Sequence, residues 1–134
     1  MIVLDASAAL PYLLDDPPAH TIRERFGVAG ETLHAPHLLD LEVCGAVRRL
    51  ALAQSLSRQR AEATILDLAA LPITRYPHDW LLHRIWDLRA NLTVYDAAYV
   101  ALAEALQAPV LTLDRRLAAA PGIATDVELI ASAR

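Results

Sequence analysis

Four acidic residues stand at positions where an α/β fold would bring carboxylates together. Asp5 and Asp114 each end a short apolar run, residues 2–4 and 110–113, of the kind that forms a buried parallel strand. Glu42 and Asp96 lie early in two predicted helices. Ligands of open parallel sheets bind beyond the carboxyl ends of the strands. We therefore expect the four carboxylates to converge at that edge of the sheet.

Convergence of these carboxylates would favour a bound cation. At about 4 Å and an effective dielectric of about 20, each pair of like charges repels by roughly 4 kcal/mol. Either some carboxyls take up protons or a cation lies among them. Oxygen ligands suit Mg²⁺ or Mn²⁺, and such an ion polarises a phosphate, activates a bound water and stabilises a developing oxyanion. The predicted chemistry is metal-assisted hydrolysis of a phosphodiester.

Helix capping is the competing interpretation for three of these acids. Thr93 and Asp96 have the spacing of a capping box, with Asp in place of Glu. Asp5 and Asp114 each precede a segment that they would cap or turn. Glu42 lies between Leu and Val, with Ala at i+4, so it has no helical ion-pair partner of its own. At Asp5, Asp96 and Asp114, capping and metal binding both remain open.

Other polar and aromatic residues carry weaker signals. Arg115 and Arg116 directly follow Asp114 and are candidates for bidentate contacts to phosphate. The 5 histidines have no metal-ligand spacing, so surface or supporting roles are expected. Trp80 and Trp86 do not share one helix face, and we expect them to pack in the core or at an interface.

Composition excludes several classes of function. All 12 basic residues are arginine, so chemistry that needs a lysine is absent, including Schiff-base formation and the P-loop. One cysteine allows neither an intramolecular disulfide nor a multi-cysteine zinc site. The net charge of −4 argues against wrapping nucleic acid by bulk positive charge. No signal peptide or apolar run of membrane-spanning length is evident, so a cytoplasmic protein without a membrane partner is expected.

The elements that must position these residues alternate between strands and helices. The length of 134 residues predicts one domain over residues 1–134, and the 55% hydrophobic content predicts a dense core with apolar surface left for a partner. Alternation of this kind predicts an α/β fold with a parallel sheet. The predicted strands are residues 2–5, 32–35, 73–76, 110–114 and an edge strand within 127–130; the predicted helices are residues 6–14, 19–29, 38–53, 58–71 after an N-cap at Ser57, 78–91 and 93–106.

Four blocks of the sequence resemble a known family. The chain opens with MIVLDASAALPYLL, continues with LLDLEV from Leu38 and NLTVYDAAYVALAEAL from Asn91, and ends the pattern with VLTLDRRLA from Val110. In order and spacing these blocks resemble the PIN-domain ribonucleases, and more closely the VapC-like toxins of type II toxin–antitoxin pairs. The resemblance covers essentially the whole chain. The chain departs from the family's pattern at Gln107, where similar sequences often have a helix-ending glycine, and after Asp114, where Arg115 and Arg116 stand in place of another acid.

The resemblance carries definite expectations about fold and site. It implies a PIN-like three-layer fold, in which a central parallel sheet is flanked by helices. It implies that the four acids form a catalytic site for Mg²⁺ or Mn²⁺, with Asp5 and Asp96 as direct ligands and Asp114 and Glu42 bound directly or through water. Ser7 and Thr112 are the implied supporting hydroxyls. Arginines in place of an acid after Asp114 leave one ion or two equally open.

The resemblance also implies an activity and partners. Family members cleave RNA endonucleolytically, often structured RNAs such as tRNA, by attack of a metal-activated water. They are usually homodimers, inhibited by a small antitoxin whose C-terminal segment covers the active groove. The bound metal and local arginines would supply the positive charge that the composition lacks.

Three alternative functions differ from a ribonuclease toxin in activity, substrate or chemistry. A non-cleaving PIN-fold module would bind RNA or an antitoxin, but it has no reason to keep four mutually repelling acids. A DNA-directed PIN-type nuclease would use the same acids on another substrate. A phosphatase with an aspartyl nucleophile generally uses Asp-x-Asp and a lysine, whereas this chain has Asp5-x-Ser7 and no lysine.

Overall fold

The computed structural model describes residues 1–131 and contains a five-stranded sheet with helices packed against it. The strands are β1 (Ile2–Leu4), β2 (Leu33–Pro36), β3 (Ile73–Tyr76), β4 (Val110–Thr112) and β5 (Val127–Leu129). The helices are α1 (Ala6–Leu14), α2 (Ala19–Phe26), α3 (Leu38–Leu52), α4 (Arg58–Ala70), α5 (Leu82–Asp87), α6 (Val94–Leu106) and α7 (Arg115–Ala119), with a short 3₁₀ turn at Asp79–Leu81.

All strand pairs are parallel, and the strand order is β3-β2-β1-β4-β5. Val3 pairs with His34 on one side and Val110 on the other, so β1 lies at the centre of the sheet. Every residue of β1, β2 and β4 is buried, as expected for parallel strands covered on both faces. The prediction of a parallel sheet flanked by helices is confirmed.

Two groups of helices cover the sheet. Helix α6 packs on β1, β2 and β4 and carries α5 on its outer side. Helices α1, α3 and α4 pack against one another, and α7 packs on β4 and β5. The core contains seven consecutive buried residues of α6, from Ala97 to Ala103. Four of them are alanines, whose small side chains let the helix lie close to the strands. None of the helices in residues 1–131 is long and apolar enough to cross a bilayer.

Most predicted boundaries lie within a few residues of the observed ones, and two differ. The helix predicted over residues 78–91 is a 3₁₀ turn followed by α5, which ends at Asp87. The chain then tightens into i+3 hydrogen bonds, with the Arg89 N–H donating to the Trp86 carbonyl and the Asn91 N–H to the Leu88 carbonyl. Helix α7 was expected only as a turn or a capped segment.

The prediction that the two tryptophans pack in the core is wrong. Trp80 and Trp86 are 53% and 61% exposed. The Trp80 indole N–H donates to the Pro77 carbonyl at 2.6 Å, and the Arg89 guanidinium lies 4.7 Å from the Trp86 ring centroid. These contacts give the Trp80 N–H an acceptor and place a cation over the Trp86 ring, while both rings remain exposed. A role for the two tryptophans at an interface stays a prediction.

Candidate active site

Asp5 is held at the carboxyl end of β1 by two hydroxyl groups. Its backbone N–H donates to the Leu111 carbonyl and so continues the ladder to β4. Ser7 Oγ and Thr112 Oγ1 each donate to Asp5 Oδ2 at 2.7 Å. Asp5 is the N-cap residue of α1, but its buried carboxylate makes no capping hydrogen bond to the helix, so its side chain is not used for capping. Because both hydroxyls donate to Oδ2, Oδ1 remains available to another ligand. Ser7 and Thr112, the supporting hydroxyls that the resemblance implies, thus both contact Asp5.

The same hydroxyls tie Asp5 to the strand end that carries Asp114. Ser7 Oγ accepts the Leu113 N–H at 2.9 Å, and Thr112 Oγ1 accepts the Asp114 N–H at 3.0 Å. Each hydroxyl thus accepts from the β4 end while it donates to Asp5. This arrangement fixes the spacing of the two strand ends through side chains rather than through the sheet ladder alone.

Glu42 lies half-buried on the first part of α3 and is bound by a buried tyrosine. The Tyr99 hydroxyl donates to Glu42 Oε1 at 2.6 Å. Burial raises the pKa of Glu42, and the charges of Asp5 and Asp96 add to that rise, whereas the Tyr99 hydrogen bond opposes it. Glu42 therefore lies close enough to Asp5 and Asp96 for their charges to act on it.

Asp96 lies in the first turn of α6. Its backbone N–H donates to Thr93 Oγ1 at 3.2 Å, which confirms Thr93 as the N-cap of the helix. Burial raises the pKa of the Asp96 carboxyl, and the charges of Asp5 and Asp114 raise it further, whereas the Thr93 hydroxyl and the Arg116 charge lower it. The helix start therefore places this carboxyl within range of the charges of Asp5 and Asp114.

Asp114 is the N-cap of α7, as the capping interpretation expected. Its Oδ1 accepts the Arg116 N–H at 2.9 Å and lies 3.5 Å from the Leu117 nitrogen. The Arg116 side chain is exposed and its Nε lies 4.0 Å from Asp114 Oδ1. Arg115 is exposed on the same turn. Capping uses one oxygen of Asp114, so this role and a role toward a cation are compatible.

The four carboxyls share a region without forming a ready-made cage. Asp5 influences Glu42 and Asp96, and Asp114 influences Asp96. Within residues 1–131, no three His, Cys, Asp or Glu side chains are arranged closely enough to hold a metal ion as they stand. The donors are nevertheless all carboxylate oxygens, the kind that Mg²⁺ and Mn²⁺ prefer, and a cation would relieve their mutual repulsion. Their chemistry therefore fits a divalent ion, with side-chain adjustment on binding.

Two features near the acids were not anticipated from the sequence. Tyr99, three positions after Asp96, gave no sign of contacting Glu42, because a buried aromatic residue on an amphipathic helix normally signals core packing alone. A cavity of about 310 Å³ lies between the first turns of α3 and α6 and the α5 region, and its lining includes Leu41 and Tyr95, the sequence neighbours of Glu42 and Asp96, but none of the four acids. The remaining lining residues are His37, Leu38, His78, Leu82, Ile85, Val94 and Ala98.

Comparison with known proteins identifies the family. The PIN-domain model matches residues 2–123. Ribonuclease VapC9 of Mycobacterium tuberculosis is 47% identical over 117 residues, which is 87% of this chain and 88% of the relative. Ribonuclease VapC12 of the same organism is 41% identical over 131 residues, which is 98% of this chain and 100% of the relative.

Solved structures agree at the level of the fold. VapBC2 from Rickettsia felis, bound to a DNA fragment from its promoter, has a TM-score of 0.70 at 14% identity and covers 96% of this chain and 98% of its own. VapC20 of Mycobacterium tuberculosis, a toxin that cleaves the sarcin–ricin loop, has a TM-score of 0.68 at 13% identity and covers 89% and 94%. Matches across nearly the whole length, together with the sequence relatives, lead to one conclusion. The chain belongs to the VapC ribonucleases of the PIN-domain family.

Proposed function

We propose that this protein is a metal-dependent endoribonuclease toxin whose whole chain, residues 1–134, acts as one PIN domain in the cytoplasm, where its RNA substrate is. The observation that carries the proposal is the hydrogen-bonded end of the sheet, where Ser7 and Thr112 join Asp5 to the strand end that carries Asp114. Glu42 and Asp96 lie within range of the Asp5 charge. Mutually repelling carboxyls at a site of this kind are costly for stability, so their retention supports a functional role.

The proposed role of each residue follows from its contacts. Asp5, kept in place by Ser7 and Thr112, and Asp96 at the start of α6 are the proposed direct ligands of Mg²⁺ or Mn²⁺. Glu42 and Asp114 would bind it directly or through water. When bound, such an ion supplies a Lewis acid for the phosphate and lowers the pKa of a water ligand.

Two arginines beside the acids are the proposed contacts to the RNA backbone. Arg115 and Arg116 are exposed at the start of α7, next to Asp114. Their guanidinium groups can donate paired hydrogen bonds to phosphate oxygens. They would orient the scissile phosphate against the acidic edge and offset part of the repulsion between RNA and the carboxylates.

A cognate antitoxin and a second copy of the chain are the proposed protein partners. Several apolar side chains around the cavity are exposed, among them Leu41, Leu82 and Tyr95. Exposed apolar surface of this kind favours a protein partner. Leu41 and Tyr95 are sequence neighbours of Glu42 and Asp96, so an antitoxin segment bound on this surface would lie near the helix starts that carry these acids and would block access of RNA. Size-exclusion chromatography with light scattering on the antitoxin-free protein tests the homodimer.

The test of the proposed activity is cleavage of total cellular RNA by the purified, antitoxin-free protein. The reactions contain Mg²⁺, Mn²⁺ or EDTA, and the variants are Asp5→Asn and Asp96→Asn. We expect discrete fragments that require metal and both aspartates. The matched control is Asp67→Asn, the same change at an exposed position on α4, which should cleave like the unaltered protein.

Three outcomes would contradict the proposal in different ways. A fully active Asp96→Asn variant would remove the assignment of that residue. Cleavage of DNA but not RNA in a parallel panel would indicate the DNA-directed nuclease. RNA binding without metal and without cleavage would indicate the non-cleaving module.

A further inference from the structure

Tyr99 is a buried polar residue that the proposed function leaves unused. It lies on α6 about one helical turn after Asp96, and its side chain is completely buried. A phenol hydroxyl in such a position needs a hydrogen-bond partner. Among residues 1–131, the Glu42 carboxylate is the one partner of this hydroxyl. A phenylalanine would fill the same volume without it, so packing alone does not explain the tyrosine.

The contact from Tyr99 to Glu42 restricts a side chain that would otherwise be mobile. Glu42 has three rotatable side-chain bonds and lies half-buried on the first part of α3. The 2.6 Å distance from the Tyr99 hydroxyl to Oε1 is typical of a short hydrogen bond to a charged acceptor. Tyr99 itself is immobilised by the core, so it fixes Oε1 and leaves Oε2 free of protein donors within the described residues.

We propose that Tyr99 is a positioning residue, which holds Glu42 so that its second oxygen is presented to a divalent cation at the acidic edge. This inference rests on the proposed function, since it assigns a role toward the same ion. Tyr99 acts through Glu42 and does not itself bind the ion. The arrangement parallels that of Asp5, whose Oδ2 is occupied by Ser7 and Thr112. In both residues one carboxylate oxygen is used for orientation and the other remains for a ligand.

The test is the affinity of the metal alone, measured by titration calorimetry of Mn²⁺ into the full-length, antitoxin-free protein. Tyr99→Phe removes the hydroxyl and keeps the ring. Loss of an outer hydrogen bond to a metal ligand typically weakens binding by about 10-fold or more, and we expect a loss of that size. The matched control is Tyr76→Phe, which removes the 2.7 Å contact between the Tyr76 hydroxyl and His34 Nδ1 and should leave Mn²⁺ affinity unchanged.

A double-mutant cycle separates positioning from a general structural effect. If Tyr99 acts through Glu42, then Tyr99→Phe should weaken Mn²⁺ binding no further when Glu42→Gln is already present. An equal loss in both backgrounds would overturn the proposal, as would a Tyr99→Phe variant that binds Mn²⁺ like the unaltered protein. If Tyr99→Phe does not show a cooperative unfolding transition, and so is not properly folded, Glu42→Asp provides a second test. Its shorter side chain withdraws the carboxylate from the Tyr99 hydroxyl. In that variant, unchanged affinity would also overturn the proposal.

The outcomes distinguish this inference from the proposed function. An unaltered protein that fails to bind Mn²⁺ contradicts both. Normal binding and metal-dependent cleavage by the unaltered protein, with the same Mn²⁺ affinity in Tyr99→Phe, contradict the role of Tyr99 alone.

Discussion

At the scale of single residues, the buried carboxylate of Asp5 depends on hydroxyl donors that a methyl group cannot replace. Thr112 Oγ1 donates to Asp5 Oδ2 and accepts the Asp114 N–H. Thr112→Val keeps the shape of the side chain and loses both contacts. We expect a loss of about 1–3 kcal/mol in the free energy of unfolding, measured by urea denaturation.

A second buried threonine supplies the control for Thr112→Val. The Thr64 hydroxyl is equally buried but donates to the Arg60 carbonyl within α4, so Thr64→Val leaves no charged group without a donor. Thr64→Val should lower the free energy of unfolding by clearly less than Thr112→Val does. Equal losses in the two variants would mean that the contact to Asp5 contributes nothing particular to stability.

The sequence pointed to the acids and, through the family resemblance, to Ser7 and Thr112, but not to the contact of Tyr99 with Glu42, for a physical reason. Asp5 and Asp114 could be predicted to lie at one edge because apolar parallel strands have a fixed direction. The contact of Tyr99 with Glu42 depends on how α3 and α6 are placed in space, across 57 positions of sequence. Helical periodicity reports which face is buried and says nothing about which polar group that face meets.

At the scale of secondary-structure elements, the end of α6 carries backbone strain. Gln107 is the C-cap and has a φ of 53°, in the left-handed region that favours glycine. Gln107→Gly should raise the free energy of unfolding by up to about 1 kcal/mol, because the steric penalty exceeds the entropy that glycine adds to the unfolded chain. Thermal unfolding followed by circular dichroism measures the change.

The same exchange inside a helix should have the opposite sign. Gln59 is exposed within α4, so Gln59→Gly should destabilise by about 1 kcal/mol. Two destabilised variants would show that the conformation of Gln107 is not a significant cost. Two stabilised variants would show that the gain is not specific to the left-handed conformation of Gln107.

Elements were predicted best where capping and periodicity agree. Ser57 accepts the Arg60 N–H and starts α4 at the expected position. The helix predicted over residues 78–91 was too long, because apolar spacing continues beyond Asp87 while the backbone has already tightened into turns. Periodicity of side chains persists through i+3 turns, so the pattern alone does not mark this boundary.

At the scale of the whole molecule, an ion-pair group joins the two ends of the described fold. Arg25 on α2 donates to Glu31 Oε2 at 2.5 Å and to Glu128 Oε2 on β5 at 2.6 Å. The other oxygen of Glu31 lies 2.7 Å from the Met1 amino nitrogen. The Met1 ammonium and the Arg25 guanidinium lower the pKa of Glu31 to about 2, against an ordinary value of 4.5.

This shift predicts how stability depends on pH. A carboxyl with a depressed pKa in the folded state stabilises the protein fully above its unfolded pKa, and that contribution is lost as the pH falls from about 4.5 to about 2. The contribution is at most about 3.4 kcal/mol, from 1.36 kcal/mol per pKa unit over the shift from 4.5 to about 2. The free energy of unfolding, measured with urea at each pH, should therefore fall less steeply with decreasing pH in Glu31→Gln than in the unaltered protein.

The control for this pH dependence is Glu24→Gln, at an exposed carboxyl on α2. It should retain the steep loss of stability on acidification. An unchanged pH slope in Glu31→Gln would show that other carboxyls are responsible for acid unfolding.

The central position of β1 has a consequence for biosynthesis. Asp5 leaves the ribosome early, yet the hydroxyl of Thr112 that holds it lies 107 positions later in the chain. Contacts between such distant positions form late, after the intervening chain is available to fold. A nascent chain shorter than this has no β4 beside β1 and no complete acidic edge. Premature termination anywhere before this strand would thus yield a fragment without the paired β1 and β4 that carry Asp5 and Asp114.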